Sequence, residues 1–396
     1  MTARKRVAVV GGCGHVGLPL SIALAPHHDV VIYDIDAAAV AKVRAGEVPF
    51  LDEGAEEGLA AALRSGMQAC TTPERLSDCD YVILVIGTPV DRHLNPSIDL
   101  FDRLLDELSG ILHDGQVLVL RSTVYPGTTD RARQYFARRG MDVEIVFCPE
   151  RVAQGFALKE IKSLPQIISG FSPEGLAAAR TLFSPLGVEL IELAPLEAEL
   201  TKLFNNVYRY VTFAIANQFY MLAAEYDLDF YRILHAMRHN YPRGAQMPGP
   251  GFAAGPCLFK DTMQLSAFNN NQFFMGHAAM LVNEGLPQFV VNRMDRRWPD
   301  LQQRTVGILG MAFKSDSDDA RESLSYKLKK LLEMRAARVL TTDPFVSDPG
   351  LVSEREVLER SDILVIGAPH TTYRTLDYGD TPVVDIWNLI GQGGAI

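Results

Sequence analysis

The sequence predicts an α/β chain: two doubly wound domains joined by a helical connector with a long central helix. Three observations predict it. Up to about residue 190, short apolar runs ended by Gly or Asp alternate with helical patterns, as in a parallel sheet covered on both faces. From Leu196 to about Val291 the strand signals fade, and apolar positions recur at helical spacing through Leu200, Phe204, Val207 and Val211. From Thr305 the strand-turn texture returns as Val306-Gly307-Ile308-Leu309-Gly310. A chain of 396 residues is too long for one core, and the expected domains are 1–193, 194–295 and 296–396.

The elements follow in order. Val7 to Val10 reads as a buried strand ended by glycines, and Leu18 to Ala25 as the helix after it. Val30 to Tyr33 is a second strand, closed by Asp34. Tyr81 to Ile86 is another, followed by Gly87-Thr88-Pro89, and Val117 to Leu120 leads to Ser122-Thr123. Val143 to Phe147 continues the series. Ligands of such sheets bind at the C-terminal strand ends, which makes Thr88, Pro89 and Thr123 candidates; ordinary turn residues are the equal alternative. Cys79-Asp80-Tyr81 through Pro89 is echoed by Ser361-Asp362-Ile363 through Pro369, so both ends of the chain read as related units, unless two buried strands merely look alike.

Composition excludes several classes. A net charge of -10 leaves no basic surplus for nucleic acid. The five cysteines are widely spaced without a CxxC pair, which argues against zinc or a disulfide framework and for a reducing, cytoplasmic setting; no metal is expected. Arg4-Lys5-Arg6 before an apolar stretch superficially resembles a signal peptide, but Gly11, Gly12, Gly14 and Gly17 interrupt it. No run of 18 apolar residues occurs, and no membrane partner is expected.

Gly12-Cys13-Gly14-His15-Val16-Gly17 matches GxGxxG. Alone the pattern is weak. Here it follows a strand, opens a helix and precedes an acidic strand end, the arrangement of a Rossmann-like dinucleotide site. The glycines let the backbone approach a pyrophosphate, and His15 and Val16 lie inside the same turn. Asp34 would accept the ribose hydroxyls and repel a 2′-phosphate, which favours NAD over NADP; Asp36 is a weaker candidate. In the connector, Gly249-Pro250-Gly251-Phe252-Ala253-Ala254-Gly255-Pro256-Cys257-Leu258-Phe259-Lys260-Asp261 places a cation and an acid just after a cysteine. A nearby cation favours a thiolate nucleophile, whereas a lone cysteine is more often an inert, buried one.

With these motifs in place the chain resembles the UDP-glucose/GDP-mannose dehydrogenase family of nucleotide-sugar 6-dehydrogenases. The resemblance spans the glycine turn, Thr88-Pro89, Ser122-Thr123-Val124, Cys148-Pro149-Glu150-Arg151, residues 199–206, the Cys257 loop and residues 310–323. It implies that Cys257 captures the C6 aldehyde as a thiohemiacetal, which a second NAD oxidises to a thioester hydrolysed to the uronate. It implies that Lys202 and Asn206, four apart on one helix face, steady the oxyanion and a water, with Asp261 as partner in proton handling. Thr123 and Glu150 would be further polar elements, Glu150 as general base. Arg151, Gly255 and Lys260 would approach the substrate, as would Arg243 from a partner subunit, and Lys314 and Arg321 from the C-terminal domain. A homodimer serving polysaccharide biosynthesis is the implied context. The chain departs from the family at Ala254, Pro256 and Gln154, and Pro-Glu-Arg resembles enzymes acting on UDP-N-acetylhexosamines (ManNAc or GlcNAc) more than UDP-glucose enzymes. UDP-glucose, or a GDP- or TDP-sugar, is the alternative substrate. A two-electron dehydrogenase of the hydroxyacid type, or a non-catalytic NAD-binding protein, is the alternative class. The acidic cluster Asp316 to Asp319 reads as a solvated loop.

Overall fold

The computed structural model describes residues 4–87, 98–253, 255–394 and 396. It divides into two compact units, residues 1–204 and 205–396. The first unit runs β1 (Arg6–Val10), α1 (Gly17–Leu24), β2 (Asp29–Tyr33), α2 (Ala37–Ala45), α3 (Ala55–Arg64), β3 (Gln68–Cys70), β4 (Tyr81–Leu84), α4 (Ile98–Ser109), β5 (Val117–Leu120), α5 (Thr128–Arg138), β6 (Glu144–Phe147), α6 (Ala157–Ile161), β7 (Gln166–Ser169), α7 (Pro173–Phe183) and β8 (Leu190–Leu193). Six strands form one parallel sheet in the order β3-β2-β1-β4-β5-β6, and β7 and β8 form a separate parallel pair. The order reverses between β1 and β4, the kind of switch point at which ligands of doubly wound sheets bind. Register brings the ends level, with Val10 opposite both Tyr33 and Leu84.

The strands are apolar throughout because both faces are covered. Val7 and Val9 pack into one core with Leu18, Leu24 and Ile32. Ala8 and Val10 pack into the other with Leu105, Leu118 and Phe136. Local chemistry sets element ends. Asp36 caps α2 by accepting from Ala38 N at 2.9 Å and Ala39 N at 3.1 Å, and Gly46 stops it at φ 83°. That cap is the use the structure makes of Asp36.

The long α8 (Pro195–Glu225) has 31 residues, roughly 46 Å at 1.5 Å each. In the second unit follow α9 (Phe230–Arg238), α10 (Leu258–Phe268), α11 (Phe274–Arg297), β9 (Thr305–Leu309), α12 (Leu324–Glu333), β10 (Arg338–Thr342), α13 (Glu354–Arg360), β11 (Ile363–Ile366) and β12 (Val383–Val384). The four strands are parallel in the order β10-β9-β11-β12. The helices share a core with this sheet: Tyr220, Phe230, Leu286 and Val290 pack with Val306, Ile308, Leu324 and Val365.

The echo between the two ends is topological. β2-β1-β4 in one sheet corresponds to β10-β9-β11 in the other. The two echoed aspartates do one job: Asp80 accepts from Arg6 N at 2.8 Å, and Asp362 from Thr305 N at 2.7 Å, each tying the first strand to its neighbour. Among the described residues no helix is long and apolar enough to cross a membrane.

Candidate active site

The glycine turn joins β1 to α1. A Cβ on Gly12 would lie 2.7 Å from Ile32 Cγ2 and 2.8 Å from Val9 O; one on Gly17 would lie 2.6 Å from Gly11 O and Gly12 Cα. The outer two glycines are therefore required by packing. Gly14 is exposed, and the nearest atom to its added Cβ is 3.7 Å away, so its bare backbone faces outward. α1 starts without a side-chain cap or an acid in its first turn, leaving its N–H groups for an anion. Asp34 Oδ2 accepts from Cys13 N at 3.0 Å and Oδ1 from Asp36 N at 3.1 Å, which fixes a half-buried carboxylate at the end of β2 with lone pairs left for ribose hydroxyls. His15 stacks on Phe50 with centroids 4.2 Å apart. Cradle, helix start and carboxylate fit a dinucleotide. Thr88, Pro89 and Ala254 lie outside the described residues.

At the ends of β5 and β6 the first unit carries Thr123, half-buried, and Glu150, buried. Glu150 is held from both sides. Its Oε2 pairs with the Arg121 guanidinium, and Oε1 accepts from Arg151 N at 2.7 Å and Val152 N at 3.0 Å. Arg121 is itself fully buried, donating to Cys148 O at 3.0 Å and Gln166 Oε1 at 3.0 Å. Removing one member of such a buried pair typically costs about 3–5 kcal/mol, since the other charge is stranded. The Arg151 side chain donates to Pro165 O. Further along, Glu199 accepts from Gly127 N at 2.6 Å and Thr129 N at 2.8 Å and so caps α5; burial pushes its carboxyl up, against those hydrogen bonds. Lys202 follows on α8, half-buried.

In the second unit Asn206, on α8, donates to Asp261 Oδ2 at 2.6 Å. Asp261 is fully buried, and its Oδ1 lies 3.6 Å from Lys260 Nζ. Cys257 sits at the N-terminal end of α10, where the helix dipole favours a thiolate. Of the five cysteines it alone is exposed. Burial pushes the thiols of Cys13 and Cys148 up to about 12, and Cys79 up to about 11, and leaves them inert. The loop before Cys257 is clamped: Asn217 accepts from Gly251 N at 2.8 Å and donates to Gly251 O at 3.0 Å, and the Asn217 amide also meets Asn283 at 2.9 Å. Gly255, at φ 100°, lies against the Phe313 ring and donates to Glu322 O at 3.3 Å.

The segment 310–322 thus abuts the cysteine loop. Arg321 is oriented by buried Asp319 through two nitrogens, and its guanidinium is held up first by that carboxylate and in smaller part by Cys257. Lys314 lies 6.0 Å from the Phe313 ring centre. The acidic stretch is only in part the solvated loop that its charge suggested: Asp316 is exposed, accepting from Thr371 N and Oγ1, both at 2.9 Å, whereas Asp319 is buried. Backbone donors and one arginine compensate those charges. Arg243 is exposed in the turn after α9, 6.0 Å from the Tyr241 ring.

Three models of one family match consecutive segments: its NAD binding domain over residues 5–187, its central domain over 196–284 and its UDP binding domain over 307–392. The chain belongs to the UDP-glucose/GDP-mannose dehydrogenase family. It is an NAD-dependent nucleotide-sugar dehydrogenase. A UDP-N-acetyl-D-mannosamine dehydrogenase of Pyrococcus horikoshii is 28% identical over 386 residues, 94% of this chain and 91% of the relative. Among solved structures, a UDP-D-ManNAc dehydrogenase from the same organism superposes with TM-score 0.91 at 26% identity, covering 98% of this chain and 96% of that one. A UDP-glucose dehydrogenase from Pyrobaculum islandicum superposes with TM-score 0.89 at 27% identity, covering 97% and 94%.

Arg121, Asp319, Phe313 and Asn217 also shape these regions, although the sequence does not single them out. Arg121 had a signal, a charge directly after the apolar run Val117 to Leu120. The others act through contacts that no local pattern encodes.

Proposed function

We propose that this family member oxidises the C6 alcohol of a UDP-N-acetylhexosamine, N-acetylmannosamine foremost, to the carboxylate in two steps on one active cysteine. The observation that carries the reading is Cys257: exposed at a helix start, followed by Lys260 and buried Asp261, and near enough to Arg321 to raise its pKa. The chemistry that bound NAD supplies is acceptance of hydride, once per oxidation. The Cys257 thiolate adds to the aldehyde carbon, and the new C–S bond retains a reactive intermediate. Lys202 and Asn206 stabilise the oxyanion of that adduct. After the second oxidation, Glu150 takes a proton from water through Oε2, the oxygen that pairs with Arg121 while Oε1 takes the two backbone donors. Water attack breaks the C–S bond, releasing the acid and the thiolate. Asp261, hydrogen-bonded to Asn206, orients that amide and shares in proton handling. Thr123, Arg151, Gly255, Lys260, Lys314 and Arg321 hold the substrate, with Arg243 from a second subunit.

The sugar assignment is supported by Glu150-Arg151 with Gln154 and by the relatives named as N-acetylmannosamine enzymes. A homodimer is supported by α8. Phe204, Tyr208, Ile215, Phe219 and Leu222 are all exposed, and at 100° per residue they fall within about 60° of arc. The wide spacing of the five cysteines, without a CxxC pair, and the nucleotide-sugar substrate support a cytoplasmic role in polysaccharide biosynthesis. The test is a panel of UDP-, GDP- and TDP-sugars with NAD, with product mass and NADH counted at completion. About two NADH per UDP-N-acetylhexosamine, with a uronate product, is expected. One NADH with a stable aldehyde overturns the four-electron reading. Turnover of UDP-glucose alone overturns the sugar.

A further inference from the structure

His370 takes no part in the mechanism above, yet it is completely buried between two aromatic rings, Phe345 at 5.1 Å and Tyr373 at 5.4 Å. Its Nδ1 accepts from Asp316 N at 2.8 Å. A backbone N–H can only donate, so Nδ1 carries the lone pair and the ring proton is on Nε2. Nε2 then donates to Asp343 Oδ2 at 3.0 Å. Asp343 stands at the end of β10, the position that Asp34 holds at the end of β2. Both carboxylates reach back to the turn after the first strand: Asp34 to Cys13 N, and Asp343 to Met311 N at 2.6 Å and Ala312 N at 2.9 Å.

The two sites then diverge. Asp34 accepts from two backbone donors and has lone pairs to spare. Asp343 has no exposed side-chain surface and also accepts from Phe345 N at 2.8 Å and Val346 N at 3.0 Å. Burial alone would push its carboxyl up, but the His370 bond and these backbone donors hold it down at about 2. In this half of the molecule the strand-end carboxylate anchors a loop rather than facing a ligand.

That loop, residues 310–322, is fastened at three points. Asp343 holds Met311 and Ala312, His370 and Thr371 hold Asp316, and Ser323 Oγ donates to Ala312 O at 3.0 Å. Between the fastenings it presents Phe313 to Gly255 and brings Arg321 within electrostatic reach of Cys257, with Lys314 6.0 Å from the Phe313 ring centre. Asp316 and Glu322 adopt φ of 50° and 53°, conformations that an unfastened chain would leave.

We propose that His370 is a positioning residue for the nucleotide-sugar site, its Nδ1 bond to Asp316 setting the loop that carries Lys314 and Arg321. The proposal rests on the reading that these two cations contact the substrate. The test compares His370→Gln, which keeps an amide donor near Asp343 but removes the Nδ1 acceptor, with His370→Asn, whose amide oxygen falls near Nδ1. Steady-state kinetics and amide hydrogen exchange of residues 311–320 are measured for both. His370→Gln is expected to raise the KM for the UDP-sugar roughly tenfold, the scale of one stranded backbone donor. Its kcat should fall less, its KM for NAD should hold, and its loop should exchange faster. His370→Asn should recover most of the KM and of the protection. Wild-type loop exchange and sugar KM in His370→Gln overturn the proposal. So does equal loss in both variants with a matching loss of NAD binding, which marks a merely structural histidine. Lys314→Ala separates the premise: a wild-type sugar KM there defeats the substrate reading, while loop exchange still decides the fastening. Should His370→Gln fail to fold, Thr371→Val, at the exposed end of the same fastening, should raise the sugar KM two- to fivefold; no change in KM or exchange overturns the proposal.

Discussion

Gly17→Ala and Gly14→Ala change the same motif by one methyl each, and the structure assigns them opposite outcomes. At Gly17 the added carbon meets Gly11 O and Gly12 Cα at 2.6 Å and Val85 Cγ2 at 2.9 Å. Two of the three neighbours are backbone, and normal carbon contacts need about 3.5–4.0 Å. The turn and α1 must therefore separate by roughly 1 Å. Overpacking of this kind costs about 1–3 kcal/mol. For a unit of this size each kcal/mol lowers Tm by roughly 2–4 °C, so a fall of about 2–12 °C is expected. NAD affinity should drop too, since the displaced amides are those meant for the pyrophosphate. At Gly14 the nearest atom is 3.7 Å away, so alanine fits the protein and only obstructs the ligand. Its Tm should stay within about 1 °C of wild type, while NAD binding weakens roughly ten- to hundredfold. Circular dichroism melts and NAD titration calorimetry on both variants supply the data. A Gly17→Ala protein with wild-type Tm, or a Gly14→Ala protein destabilised as much as Gly17→Ala, would refute the partition.

Four further outcomes are expected. A folded Cys257→Ser enzyme should lose several orders of magnitude in turnover, while Cys148→Ser, altering a buried and inert thiol, keeps most of it; near-normal NADH production by Cys257→Ser removes covalent capture. The wild-type enzyme should favour NAD over NADP by at least about tenfold in kcat/KM, because the Asp34 carboxylate repels a 2′-phosphate; parity would contradict this. Asp343 has its folded pKa lowered from 3.8 to about 2, so its contribution of about 2 kcal/mol is present above pH 4 and lost as pH falls through 2. Urea unfolding of wild type and Asp343→Asn between pH 7 and 2 should show the wild-type advantage shrinking only below pH 4. Leu222→Glu, on the exposed apolar face of α8, should convert a dimer to monomer in sedimentation velocity; an unchanged dimer would place the interface elsewhere.

Much of this protein is written in short stretches of sequence, and those are the parts that could be read directly. A buried parallel strand needs apolar residues on both faces, so Val7 to Val10 and Val117 to Leu120 declare themselves. A turn against a pyrophosphate needs residues without Cβ, so Gly12, Gly14 and Gly17 with Asp34 declare the cofactor. Helical spacing declares the long α8, and the resemblance built on motif order points to Cys257. Other properties depend on which distant groups meet. Glu150 is held by Arg121, 29 residues away, and Asp261 by Asn206, 55 residues away. The carboxylates of Asp34 and Asp343 end equivalent strands, yet one accepts from two backbone amides and the other is enclosed by His370 and four. Spacing along a chain encodes the conformation of neighbours. Burial, which decides whether a thiol is inert or a carboxylate is fastened, arises only when remote segments pack.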